Sequence, residues 1–343
     1  VDLQLGNLNL SQRDLVTLKR ALTDSEIAGV LEDPVVRQGI AQLVIYRNPL
    51  IANIPRMSPA SAGQAAAIVT RRAAGDTPGE FVADTDSITE DTGTPTQASF
   101  TYRTVATRMK VTRIAQLIGA SYVDVFAQEA TSKAADFSDF IEKEMIAGSN
   151  SDDSDSWDGI NELVPNANVV KMTTADGTGA ALSQRKARKA IDLAKGMSRV
   201  WVNSNDGKPS RAILTSEGGG QEFDALIDSN QRHNDKTEVA GGFRVSSYDG
   251  IPILRTNVYG SLIHNASASS APSRTELLGT TGSTTVAYFL NFSELWFEEL
   301  EPFTTVPLAT TDSQFDQADM RQTGVVVLRD TTAISMLTAI SVS

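Results

Sequence analysis

Apolar positions along the chain change period several times, and each change marks an element. Leu15, Leu18 and Leu22 recur at helical spacing behind Ser11 as N-cap, with Asp14 three residues on, which predicts a helix over 11–22. Pro34 opens a second one over 34–46, with Val35, Ile40 and Leu43 partly on one face. Asn48-Pro49 breaks it, and Leu50-Ile51-Ala52-Asn53-Ile54 reads as a strand. The most regular run is 121–147, where Val123, Ala127, Ala130, Ala134, Phe137 and Ile141 step by three and four. Ser121 and Asp124 suit its start, Gly148 its stop, and such a rod is on the order of 40 Å long.

Between these helices, 57–110 is dominated by small and polar residues with scattered Gly and Pro. Two β-like stretches bracket it, 66–72 going out and 98–114 coming back. The return strand alternates Phe100, Tyr102, Thr104, Ala106, Arg108 and Lys110 with Thr101, Arg103, Val105, Thr107, Met109 and Val111, and neither face is clearly apolar. Such a strand is expected to bury neither face in its own core, which suits a long hairpin that pairs with a neighbouring copy.

Beyond the long helix, 149–158 reads as an acidic loop and 183–197 as a helix carrying Arg185, Lys186, Arg188, Lys189 and Lys195. Its basic side either touches nucleic acid or forms the solvated face of an amphipathic helix with Ala187, Ala190, Ile191 and Ala194 inward. The rest alternates short strands (200–202, 211–214, 242–245, 251–254, 286–290, 295–299) with a helix over 221–228. A turn is expected at Tyr248-Asp249-Gly250 and an exposed low-complexity loop over 261–282. The segment 315–327 precedes a last apolar stretch, 333–340.

Composition narrows the class. With 41% hydrophobic and 21% charged residues, the 343-residue chain can bury a core and is not disordered overall. It has no cysteine, so disulfides and thiolate metal sites are excluded and assembly in a reducing cytoplasm is expected. The net charge of −12 is wrong for avid nucleic-acid binding, although a wall that merely encloses DNA needs no basic face. No apolar run approaches the ~20 residues of a bilayer span. Val1 to Gly6 lack the basic and apolar regions of a secretory signal.

A search for chemistry returns little. His233 and His264 both fall in stretches that read as loops, with nothing periodic to position a general base. Gly218-Gly219-Gly220 lacks the Lys-Ser/Thr of a phosphate loop and is expected to be a flexible turn before the following helix. Asp152, Asp153, Asp155 and Asp158 invite a calcium reading, but counting from Asp153 puts Trp157 on position five and Asp158 where an EF-hand loop needs Gly. No catalytic, cofactor or metal residue is assigned and no enzyme activity is expected. A metal-dependent enzyme built on the acidic clusters is the rival from another class.

The order of these parts resembles the HK97-like fold of tailed-bacteriophage major capsid proteins and encapsulins, an α+β architecture. Gly148 with Gly159-Ile160, the run Tyr248-Asp249-Gly250-Ile251-Pro252-Ile253-Leu254-Arg255-Thr256-Asn257, the segment Val286 to Phe292, and Phe315 to Gly324 are each similar to family segments. The resemblance implies an N-terminal arm (1–56), an extended loop (57–110), a peripheral domain with a spine helix (111–200, spine 121–147), an axial domain (201–300) and a C-terminal return (301–343). It implies a structural subunit assembling into pentamers and hexamers of an icosahedral virion capsid in the host cytoplasm. A portal would be its partner, with scaffolding or decoration proteins left open by the resemblance, and double-stranded DNA would be enclosed without sequence-specific binding. An encapsulin-type compartment is the alternative within the fold. Some members cross-link through a Lys near the loop tip, and no Lys lies between Lys19 and Lys110 here. Noncovalent contacts are therefore expected, with Arg71, Arg72, Glu80, Asp84, Asp86, Glu90, Asp91, Arg103 and Arg108 as intersubunit candidates.

Overall fold

The computed structural model describes residues 3–5, 8–10, 48–59, 65–71, 81–82, 95–119, 125–172, 190–195, 211–228, 236–239, 243–256, 271–278, 284–308 and 314–341. The helices expected over 11–22 and 34–46, residues 183–189 of the basic helix, and the strand over 200–202 lie outside these. The chain divides into two compact units. One takes Val1–Asn48, Thr104–Ile141 and Glu301–Gln322; the other takes Pro49–Arg103, Glu142–Leu300 and Thr323–Ser343. Near the N-terminus, β1 (Leu3–Leu5) and β2 (Leu8–Leu10) form a small antiparallel hairpin.

The strands β6 (Arg103–Thr112), β14 (Phe315–Leu328) and β13 (Leu295–Pro307) lie side by side, and the first unit takes their parts over 104–112, 315–322 and 301–307. Helix α3 (Val125–Ala147) supplies their cover, with Met109, Ala318 and Met320 packing against Phe126, Ala130 and Ala134. Phe137 of α3 meets Phe303 of β13 at 5.3 Å between ring centroids. Two expectations are corrected here. Ala127 is exposed, while Val125 is buried along with the expected Phe137 and Ile141. The return strand does bury one face: Met109 and Val111 are at most 1% exposed, and the strand stops at Thr112, where helix α2 (Arg113–Gly119) begins. Thr112 accepts from the Ala115 amide through its hydroxyl, a cap that ends the strand.

The second unit is built on a seven-stranded mixed sheet. It adds β7 (Val169–Lys171), β8 (Arg211–Ser216), β9 (Lys236–Val239), β10 (Phe243–Tyr248), β11 (Ile251–Thr256), β12 (Thr284–Asn291) and β15 (Ser335–Ser341). Their order is β7-β15-β12-β8-β11-β10-β9. The central strands β8, β11 and β12 are buried along nearly their whole length, as continuous apolar runs allow. One core gathers Ile213, Ile253, Phe289 and Leu337 with Ile191 and Ala194 of the helical stretch 190–195. The expected turn is present: Tyr248 pairs with Ile251, while Asp249 (φ 51) and Gly250 (φ 76) supply the two left-handed positions of a type I′ hairpin.

Three further readings change. Residues 50–54 are not a strand, because helix α1 spans Pro49–Asn53. Proline opens it, the Asn53 side-chain amide donates back to the Pro49 carbonyl at 2.7 Å, and the Ile51 amide donates to the Glu142 carboxylate. The three glycines are no flexible turn either. They lie inside the helix Glu217–Asp228, where a Cβ on Gly219 would sit 2.2 Å from Thr215 Oγ1 and one on Gly220 2.5 Å from Arg255 Nε. The loop over 261–282 contains a helix at Arg274–Leu277, with a Ser273/Glu276 capping box and Leu277 fully buried. Asn161 holds it, donating to the Pro272 carbonyl at 2.7 Å while accepting from the Tyr288 hydroxyl at 3.0 Å.

At the end of α3 the Gly148 amide donates to Glu144, and Gly159 returns to donate to Gly148 at 2.8 Å. A Cβ on Gly148 would meet the Glu144 and Trp157 carbonyl oxygens at 2.4 and 2.6 Å, both backbone atoms that cannot step aside. Gly148→Ala is therefore expected to cost at least 2 to 3 kcal/mol, on the order of the larger single-residue losses, measured by urea unfolding. Ala339 (φ 63) sits where the register of β12 and β15 slips, in a conformation that costs a non-glycine residue about 1 kcal/mol or more. Ala339→Gly is expected to leave the urea midpoint unchanged or raise it.

Candidate assembly surface

The hairpin of the second unit has β4 (Ala66–Arg71) and β5 (Thr96–Thr101) paired from Ala66↔Thr101 to Arg71↔Thr96. Directly opposed residues share a face, so Ala67, Val69 and Arg71 line up with Phe100, Ala98 and Thr96. That face turns inward, with Ala67 and Val69 buried. The other carries Ile68, Thr70, Ser99 and Gln97, and Ile68 is 53% exposed. Neither strand takes a third partner among the described residues. Farther out, Phe81 is fully exposed and Val82 exposed.

Polar clamps fix the root. Arg71 donates through Nε to the Arg329 carbonyl and through Nη2 to the Leu328 carbonyl, both at 3.0 Å. Arg329 is held in turn by Glu294, through Nε at 2.6 Å and also through Nη2. That pairing raises its guanidinium above the ordinary arginine value. At the other strand, the Tyr102 hydroxyl donates to the buried Glu298 carboxylate, which also accepts from Trp296 Nε1 at 3.3 Å. Burial first, and then the hydrogen bond to Glu298 and its charge, push the Tyr102 phenol well above the tyrosine range. Arg103 donates to Asn150 at 3.0 Å, and Arg56 pairs with Glu299 at 2.6 Å. Tyr102 is thus the point where the β4–β5 pairing ends and β6 begins.

Of the sequence-nominated candidates, Arg71 and Arg103 sit at this root and Arg108 lies in the first unit. There Arg108 grips Asp319 with two hydrogen bonds, 2.6 and 3.0 Å, beside Arg321–Glu301 at 2.9 Å and Lys110 over the Phe315 ring at 3.6 Å. Arg72, Glu80, Asp84, Asp86, Glu90 and Asp91 lie outside the described residues. Sequence reasoning missed Tyr102, Trp296 and Glu298, since nothing local links a tyrosine in a polar strand to a carboxylate 196 positions away.

The acidic loop caps itself. Asp158 accepts from the Asn150 amide and Asp153 from that of Asp155. Partial desolvation, with the charges of Asp158 and Asp152, raises the Glu162 carboxyl above its usual range. Among the described residues no group of three or more His, Cys, Asp or Glu gathers as a metal site, and no helix is long and apolar enough to cross a membrane. His233 and His264 lie outside them.

Two outcomes follow from the clamps. Tyr102→Phe keeps the ring but removes a hydrogen bond to a buried carboxylate, and is expected to cost about 1.5 to 3 kcal/mol in urea unfolding. Asp319 is held below its ordinary pKa, chiefly by the hydrogen bond from Arg108 and further by the Arg108 and Arg321 charges. The pair therefore contributes above the unfolded carboxylate pKa, and the contribution fades as pH falls through the depressed one. The Tm gap between the natural chain and Asp319→Asn is expected at pH 7 and should close below the ordinary carboxylate range.

No protein-family model and no curated protein sequence matches the chain. Solved structures do. The holo-SrpI encapsulin complex of Synechococcus elongatus PCC 7942 superposes with TM-score 0.60 at 12% identity, covering 98% of each chain. The capsid of a native GTA particle gives 0.57 at 14%, covering 94% of this chain and 99% of its own. The capsid of Myoviridae phage XM1 gives 0.53 at 12%, covering 85% and 92%. Identities this low speak for architecture, and across nearly the full length that architecture is the same: the chain has the HK97-like fold.

Proposed function

We propose that the chain is a non-enzymatic structural subunit that assembles with copies of itself into a closed icosahedral shell. The observation that carries this reading is the near-full-length match to subunits of two capsids and an encapsulin complex. The hairpin supports it, because a two-stranded ribbon with an exposed Ile68 on one face and a bare Phe81 beyond it is marginal unless something covers it. Rings of five and six and their closure into a shell are the finer reading. So are a virion location, assembly in the host cytoplasm, enclosed double-stranded DNA, and partnership with a portal. A net charge of −12 suits a wall that must not bind its DNA contents tightly. The encapsulin complex among the matches supports a second reading, a compartment shell around protein cargo.

Expression of the full chain, followed by sedimentation and negative-stain microscopy, tests the proposal. Uniform hollow particles are expected. A monomer at every concentration, with no rings, would overturn it. Particles that hold DNA favour the capsid reading, and particles that copurify with an enzyme favour the compartment.

A further inference from the structure

One short pattern, an aromatic residue followed by Asp-Gly-Ile, occurs twice in this chain in opposite surroundings. Trp157-Asp158-Gly159-Ile160 is locked. Trp157 and Ile160 are buried, Asp158 accepts from the Asn150 amide at 2.9 Å, and the Gly159 amide donates to the Gly148 carbonyl at 2.8 Å. Tyr248-Asp249-Gly250-Ile251 lies open. Its two central residues form the exposed turn between β10 and β11, and a Cβ on Gly250 would meet nothing within 4 Å. The Asp249 side chain is 70% exposed, and the Lys195 ammonium sits 2.5 Å from its Oδ2.

We propose that Asp249 is a site of spontaneous backbone isomerisation, with Lys195 as its brake. The Gly250 amide nitrogen attacks Asp249 Cγ and gives up its proton, and one carboxyl oxygen leaves as water, closing a five-membered imide. Water then adds back. Addition at Cγ restores the original chain; addition at the Asp249 backbone carbonyl leaves the main chain running through Cβ and Cγ, an isoaspartyl link. Both patterns share the same intrinsic tendency, because each aspartate is followed by a glycine, whose amide has no side chain to shield it. At Asp158 that amide is engaged and the loop must open first, and every ~1.4 kcal/mol of opening slows the step about tenfold. At Asp249 the ion pair stands in the way, since the departing oxygen must take up protons while an ammonium holds it as an anion. So exposed a pair holds weakly, and the brake is partial. The product carries one extra main-chain atom. A two-residue turn with register fixed at Tyr248↔Ile251 and Ser247↔Pro252 has no room for it. Because β11 stays held by its parallel pairing with β8, the part that loosens is β10 with β9, one end of the seven-stranded sheet.

The full chain, aged at neutral pH and then digested, tests this, with isoaspartate in each peptide read by fragmentation and by a methyltransferase specific for that link. Asp176-Gly177 and Asp206-Gly207 lie outside the described residues and fall in peptides of their own. The Asp249 peptide is expected to carry about tenfold more isoaspartate than the Asp158 peptide, with faster amide exchange over Phe243–Tyr248 in the aged fraction. Equal levels, or more at Asp158, overturn the assignment. Chain aged in urea is the control. There both sites are open and are expected to isomerise at one rate; an excess at Asp249 that persists would trace the difference to sequence and overturn the structural account. Lys195→Met tests the brake. It is expected to speed isomerisation at Asp249 severalfold and to leave Asp158 unchanged. An unchanged rate at Asp249, or an equal rise at both sites, refutes the role of Lys195.

Discussion

A carboxylate taken out of water must be given donors, and the second unit is organised around one that is. Glu142 is fully buried in the last turns of α3, and its oxygens accept from the Thr256 hydroxyl at 2.8 Å and the Ile51 amide at 3.3 Å. Left alone, such a group would cost several kcal/mol; bonded, it fixes whatever bonds to it. Here it fixes the start of α1, hence the chain entering the hairpin, and the end of β11, hence the middle of the sheet. Glu144, two residues along, does the same for another region. It receives Arg274 at 2.6 Å and the Ser156 hydroxyl at 3.1 Å, while its backbone carbonyl takes the Trp157 indole. The end of one helix thus sets the positions of three segments far away in sequence.

That rigidity gives the hairpin a defined root. A ribbon of two strands gains too little from its own pairing to hold a direction in water. Arg71 and Tyr102 supply the direction instead, by seizing groups that are themselves held: carbonyls beside the Arg329–Glu294 pair, and a carboxylate already bonded to Trp296. The inner face of the ribbon is thereby committed. Its outer face keeps Ile68 exposed, and that asymmetry is what a surface reserved for another molecule requires.

Local signals were legible in the sequence and distant ones were not. The long helix, its stop at Gly148, and the Asp249-Gly250 turn depend on neighbours within a few positions, and each was readable. Residues 50–54 misled because the carboxylate that makes them helical lies 91 positions on, at Glu142. Gly218 to Gly220 misled because flexibility is the local reading of three glycines, whereas close approach to Thr215, Thr285 and Arg255 is the tertiary one. The stretch around Ser273 looked like a loop from composition, and Asn161 gives it a reason to be ordered. The hairpin was legible as a pair of β stretches, but its inner buried face was not, since alternating Ala, Val and Arg do not look like a core face.

Charge placement links the fold to assembly. Most described arginines are matched with carboxylates or carbonyls of the same chain, and such pairs lend little net attraction to anything outside. At a net charge of −12, copies of the chain repel one another on balance, which works against sticking at random. Association in the proposed shell would then concentrate where one sign is left in excess and apolar surface is left bare. Specificity of this kind is set as much by the repulsion around a contact as by the attraction within it. In the proposed shell, any head-to-tail contact would close into rings when the angle between copies permits and grow open filaments when it does not. For the shell proposed above a rigid root therefore matters: a hairpin free to swing would join copies at many angles and close none of them.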